Sequence, residues 1–243
     1  MNILSIGNSF SQDAQRYLHD IAKNDGFELN AVNLYIGGCE LSTHFRNMLK
    51  DEKAYLLEVN GQRTGFYVSI KEALLNRNWD VITLQQASHF SNDYNTYQPY
   101  LDKLVEFIKE FVPKAKIVIH QTWAYLEDSK RLNEFMGYKT HKDMFSDIKD
   151  AYKKAAETIN ADMLIPCGEL IVNLLDAGIE RVHRDEFHTT YGLGRYAMGL
   201  LWYNMLSGNK IENISFSDFD EEVSDKEIKI AKECVEKTIK QYR

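Results

Sequence analysis

Cysteine and proline are scarce, three of each in 243 residues. The cysteines, Cys39, Cys167 and Cys234, are odd in number and form no Cys-x-x-Cys pair. That argues against a disulfide framework or a zinc knuckle and fits a reducing compartment. With so few prolines and no Ser/Gly-rich stretch, nothing reads as a linker, a low-complexity segment or an internal repeat. The chain is therefore expected to fold as one domain over residues 1–243. No run approaches the ~18 apolar residues of a membrane span. The first seven residues lack a basic segment, and their short apolar run reads as a strand rather than a signal peptide; the expectation is a cytoplasmic protein. Positive charge is also in deficit, with 29 Lys and Arg against 36 Asp and Glu, a net −7. Such a surface repels phosphate backbones and anionic lipid, so neither nucleic acid nor membrane is expected as a partner, and a neutral or weakly charged substrate suits it better. The oligomeric state stays open.

What is present is an ordinary globular balance, 44% hydrophobic and 27% charged residues, enough to bury a sizeable core. Short apolar runs at 3–7, 29–36, 79–84, 116–120 and 163–165 read as five strands. Helical patterns lie between and after them, near 13–23, 40–49, 97–111, 145–159, 192–206 and 224–240. The turn signal Asn60-Gly61 suggests a small hairpin insertion over 55–66. Strands without clean polar alternation, separated by helices, imply a buried parallel sheet covered on both sides. The fold class is thus α/β, a three-layer α/β/α sandwich with a five-stranded, mainly parallel, flavodoxin-like sheet.

In such sheets functional groups sit at the carboxyl ends of the strands. Those ends carry Gly7-Asn8-Ser9-Phe10-Ser11, Gly37-Gly38-Cys39, Gln85-Gln86-Ala87-Ser88-His89 and Gln121-Thr122-Trp123, and Asp185-Glu186-Phe187-His188 precedes the penultimate helix. A serine nucleophile needs a base within reach, an acid that orients the base, and donors for the oxyanion. Ser9 lies in a tight turn where its hydroxyl can project. Asp185 and His188, on one turn of chain, can place a carboxylate on Nδ1 and leave Nε2 facing a hydroxyl. Gly38 can offer its N–H toward the same point with no Cβ in the way.

These blocks, spread over residues 3–206, resemble the SGNH (GDSL-like) hydrolase superfamily, and Gly7-Asn8-Ser9-Phe10, Leu84-Gln85-Gln86-Ala87-Ser88 and Gln121-Thr122-Trp123-Ala124-Tyr125 look like a bacterial esterase-like branch of it. The resemblance implies a metal-free, cofactor-free carboxylic ester hydrolase acting on sugars, lipids or small acyl compounds. It makes Ser9 the nucleophile, His188 the general base and Asp185 the orienting acid, with the N–H groups of Ser9 and Gly38 in the oxyanion hole. The family's third block usually supplies an Asn side chain as the last oxyanion donor, and this chain has none there. Gln85 is the expected substitute, with Gln86 and Ser88 behind it. Phe10, Gln86, Ser88 and Trp123 are the expected substrate contacts. The expected function is removal of short acyl groups, with acetyl esters of carbohydrate as the natural guess.

Other readings are weaker. No Gly-x-Ser-x-Gly elbow surrounds any serine. Asn8–Asp13 as a phosphate cradle of a flavodoxin-like binding protein lacks glycines and a basic partner. A glycan-binding relative without activity leaves an intact triad idle. His183, Asp185 and His188 are a thin metal set. His19, His44 and His141 read as surface or packing residues, and His89 and His120 as partly buried near strand ends. Cys39 reads as inert, and the acidic run 218–222 as a solvated connection.

Overall fold

A computed structural model describes residues 1–242. Its centre is a strand, β1 (Asn2–Gly7), flanked on both sides by parallel partners, β2 (Asn30–Tyr35) and β5 (Val81–Leu84). β6 (Lys116–His120) and β7 (Met163–Ile165) extend the sheet in parallel beyond β5. A hairpin, β3 (Tyr55–Val59) and β4 (Gln62–Val68), extends it antiparallel beyond β2. The order is β4-β3-β2-β1-β5-β6-β7.

The three-layer α/β/α class therefore holds, with seven strands rather than five. The expected 55–66 hairpin is part of the main sheet and not an appendage. Asn60 and Gly61 both take positive φ, 50° and 76°, as a tight two-residue hairpin turn requires. A Cβ on Gly61 would run into the Arg16 carbonyl oxygen, so the turn sits directly on the end of the first helix. The pattern does not mark β4 as a strand of the main sheet because it is an edge strand with little burial, Phe66 and Tyr67 being 71% and 59% exposed. A strand wet on both faces has no period-2 apolar signature to read.

Alternate residues of the inner strands feed two cores, which is why both faces of these strands are apolar. Ile3, Ala31, Val81 and Val118 face one layer, with α1 (Ser9–Gln15), α2 (Leu18–Asn24), α7 (Cys167–Asp176), α8 (Leu193–Ser207) and α9 (Asp225–Tyr242). Leu4, Ile6, Val32, Ile82, Leu84 and Ile119 face the other, with α3 (Leu41–Lys50), α4 (Ile70–Asn76), α5 (Tyr100–Phe111) and α6 (His141–Thr158). The helix expected over 13–23 is two helices, broken at Arg16–Tyr17. α4 and α7 are additional to the helices that the sequence pattern predicts, and Ser69 and Glu72 form a full capping box at the start of α4. α8 is buried on every side from Leu193 to Asn204. No helix among the described residues is long and apolar enough to cross a membrane.

Candidate active site

The loop after β1 is built residue by residue around its first helical turn. Asn8 is the N-cap of α1, and its side chain accepts from the Phe10 N–H at 3.0 Å. Ser11, three residues on, accepts from the Asn8 N–H at 3.1 Å and completes a capping box. A Cβ at residue 7 would collide with the Ser11 hydroxyl, so glycine there lets the cap close. The Asn8 amide donates to the Cys39 carbonyl at 3.1 Å, tying this loop to the one after β2. Ser9 is left as the first helical residue, half-buried.

The Ser9 hydroxyl donates to His188 Nε2 at 2.8 Å, and His188 Nδ1–H donates to Asp185 Oδ2 at 2.7 Å. The other oxygen, Asp185 Oδ1, accepts the backbone N–H of Phe187 at 2.9 Å and of His188 at 2.7 Å. Burial works to raise the Asp185 pKa, but these N–H groups and the imidazole outweigh it and hold the carboxyl below its ordinary 3.8. The carboxylate therefore fixes the tautomer that leaves Nε2 as an acceptor. Among the described residues nothing accepts the backbone N–H of Ser9 or of Gly38, which has φ 62°. A helix N-terminus leaves such donors free for an anion.

The turn that carries Asp185 and His188 is clamped from three sides. A bridge between His183 and Thr189 closes its base, and Arg184 N–H donates to the His188 carbonyl at 2.9 Å. Trp123 Nε1–H donates to the Phe187 carbonyl at 2.8 Å. Arg184 also reaches Asp13 on α1 at 2.8 Å, and Arg195 on α8 reaches the same carboxylate at 2.9 Å. Asp13 is fully buried, so one carboxylate between two guanidinium groups links the helix of Ser9 to the turn of His188. Asp220, in the acidic run read as a solvated connection, joins this network through Arg16 and Arg195.

These groups open into a cleft of about 230 Å³ lined by Asn8, Ser9, Phe10, Tyr35, Gly37, Gly38, Ser88, His89, Arg131, Phe187 and His188. Of the expected contacts, Phe10 and Ser88 are on the wall. Phe10 packs on Trp123 at 4.2 Å between ring centres and on His188 at 6.0 Å. Trp123, Gln85 and Gln86 are not on the wall, and each is a correction to the sequence reading. Trp123 is fully buried beneath Phe10 and the Asp185–His188 turn. Gln85 donates to Asn8 Oδ1 at 2.6 Å and accepts from His120 Nδ1–H at 2.8 Å, so its amide braces the Ser9 loop from below. Gln86 accepts from the N–H groups of Leu41 and Ala87 and donates to Thr96, which uses it up as a loop fastener. Ser88, bonded to the Tyr125 hydroxyl at 2.9 Å, is one of the side chains of that block that do line the cleft.

Phe187, Tyr35 and Arg131 also line the cleft, beyond the contacts the sequence predicts. His89, read as partly buried, also reaches the wall. Burial depresses its pKa, with the Glu40 and Arg131 charges acting in opposite directions. Cys39 is buried, and burial pushes its thiol up to about 12, with Glu40 adding to the effect, a poor thiolate nucleophile. Among the described residues no group of three or more His, Cys, Asp or Glu side chains is arranged to hold a metal ion.

Comparison with known proteins follows the same lines. A DUF4886 family protein from Bacteroides uniformis superposes with TM-score 0.89 at 31% identity, over 98% of this chain and 94% of that one. A candidate SGNH hydrolase from Slackia heliotrinireducens gives TM-score 0.61 at 23% identity, over 85% and 98%. A mutant acetyl-xylooligosaccharide esterase from Geobacillus gives 0.54 at 13% identity, over 89% and 94%. The latter two likenesses are of fold. No curated protein sequence matches. The chain has the SGNH-hydrolase fold and, with residues 2–238 matching its model, belongs to the family described as a domain of unknown function, DUF4886.

Proposed function

We propose that the protein is a serine esterase that removes short acyl groups. The observation that carries this reading is the unbroken line from Ser9 Oγ through His188 to Asp185, with both contacts at 2.7–2.8 Å. Ser9 Oγ attacks the acyl carbon while its proton passes to His188 Nε2. The oxyanion forms against the N–H groups of Ser9 and Gly38. His188 then gives its proton to the departing alcohol oxygen as the carbon–oxygen bond breaks, leaving an acyl-Ser9 ester. Water, deprotonated by His188, attacks that ester and releases the acid with Ser9 restored.

The size of the cleft favours small acyl groups. At about 230 Å³ it lies below the range of drug-sized ligand pockets, which suits a short acyl group better than a long chain. The fold likeness to an acetyl-xylooligosaccharide esterase makes acetylated carbohydrate the first substrate class to try.

The test is hydrolysis of p-nitrophenyl acetate, butyrate and octanoate by the wild type and by Ser9→Ala. Acetate hydrolysis that vanishes in the variant, with rates falling as the chain lengthens, is the expected result. Equal inertness of both proteins toward all three esters overturns the reading.

A further inference from the structure

We propose that Arg131 makes this cleft selective for esters that carry a carboxylate close to the scissile acyl group. The inference rests on the cleft being the ester site. It names a substrate class that the net charge of the protein argues against.

Arg131 starts a π-helical turn, Arg131–Phe135, and lines the cleft wall. Its backbone N–H donates to Glu186 Oε1 at 3.2 Å, which ties the turn to the residue beside Asp185. The guanidinium is held among rings, with its carbon 4.8 Å from the centre of Phe187, 5.4 Å from Phe135 and 5.9 Å from Tyr125. Such rings fix the plane of the guanidinium and tolerate its charge. They offer no counter-charge.

Among the described residues, no carboxylate lies within ion-pair distance of Arg131. Its Nε–H is buried without a hydrogen-bond partner. Glu186 is committed to the backbone, and Asp185 to His188 and two N–H groups. No Asp or Glu lines the cleft. Burial depresses the His89 pKa, which leaves Arg131 as the fixed charge on the wall.

The Arg131 side chain is held by the Tyr125 side chain and by rings but has no counter-charge, and a half-buried cation of that kind is stabilised when an anionic ligand completes it. The planar guanidinium fork matches a carboxylate, which can take two parallel N–H bonds. A doubly charged phosphate suits the site less, because the whole chain carries −7 and repels the second charge. The locally positive cleft in an acidic surface thus reverses, for this one substrate group, what composition suggests.

The test is calorimetric titration of Ser9→Ala protein, which spares the ester, with 4-acetoxybenzoate and with its uncharged methyl ester. We expect the anion to bind about tenfold more tightly or better. In Ser9→Ala/Arg131→Gln the two should bind alike within about threefold, and Ser9→Ala/Arg131→Lys should keep part of the preference. Circular dichroism checks that each variant is folded, and Ser9→Ala/Arg131→Met, which also removes the charge, carries the test if the glutamine one is not. Equal binding by the parent, or a preference that survives the loss of Arg131, overturns the proposal. Turnover by the wild type is read separately. Arg131-dependent binding without turnover sinks the esterase reading alone, whereas turnover without discrimination sinks this one alone.

Discussion

Gln85 Nε2 donates to Asn8 Oδ1 at 2.6 Å, so the residue beside Ser9 hangs from the end of β5. The same amide accepts from His120, and all three side chains are buried. Gln85→Leu therefore leaves the His120 Nδ1–H unpaired, a cost of about 1–3 kcal/mol. We expect a clear fall in melting temperature and a drop in kcat, because the Ser9 turn loosens. Loss of an oxyanion donor would look different, lowering kcat by about 10²–10³ with stability intact. Thermal unfolding and kinetics on the same sample decide between the two.

Asp13 invites a harsher change. Its buried carboxylate faces Arg184 and Arg195, and Asp13→Asn leaves both guanidinium groups without that charge. Breaking a buried ion pair from one side costs about 3–5 kcal/mol. Part of the cost should surface as a lower kcat, since Arg184 adjoins Asp185. Denaturant unfolding should show the loss. A change within about 0.5 kcal/mol, the scale of an ordinary surface substitution, would mean the network carries little.

Two fully buried histidines, His44 and His120, set an acid limit on stability. Burial lowers His44 and His120 from the ordinary 6.5 to about 3. Both stay neutral in the folded protein while the unfolded chain takes up protons below about 6.5. Stability is thus full above that pH and is lost progressively as pH falls toward 3, by up to about 1.4 kcal/mol per pH unit for each histidine. Melting temperature against pH should fall steeply below 6. His120→Asn, which keeps a donor for Gln85, should flatten that slope; an unchanged slope would rule out His120 as a cause.

Why the sequence disclosed some of this and withheld the rest has physical reasons. The parallel strands announce themselves because each is apolar on both faces, Ser9 because it follows a strand end, and Asp185 and His188 because a carboxylate and an imidazole fall on one turn of chain before the penultimate helix. The role of Gln85 was invisible, since an amide looks the same whether it faces a substrate or, as here, Asn8 and His120 from distant segments. Arg131 gave no signal beyond being one of three basic residues, with Lys130 and Lys139, in the stretch 128–140. Its meaning depends on the absence of a nearby carboxylate, which is a fact of three dimensions. Trp123 and Phe10 are both aromatic residues near strand ends, and only packing tells which is the wall and which the support beneath it.

Asp185 offers the sharpest check on the hydrolytic reading, because its side chain is 44% exposed and its replacement can be folded. Asp185→Asn keeps an oxygen for the Phe187 and His188 N–H groups, so the turn should survive. The amide N–H₂ then faces Nδ1, favouring the tautomer with hydrogen on Nε2, which cannot take the Ser9 proton. The melting temperature should move by no more than about 4 °C, the scale of a small stability change, while kcat falls by about 10²–10⁴. In the wild type, the carboxyl held below 3.8 stays ionised above that pH, so Asp185 adds stability that is present from there upward and lost only in stronger acid. Any decline of activity between pH 7 and 4 must then come from a group other than Asp185. A variant that keeps near-normal kcat on acetate esters, with its turn intact, would remove Asp185 from the mechanism and leave Ser9 and His188 to act as a pair.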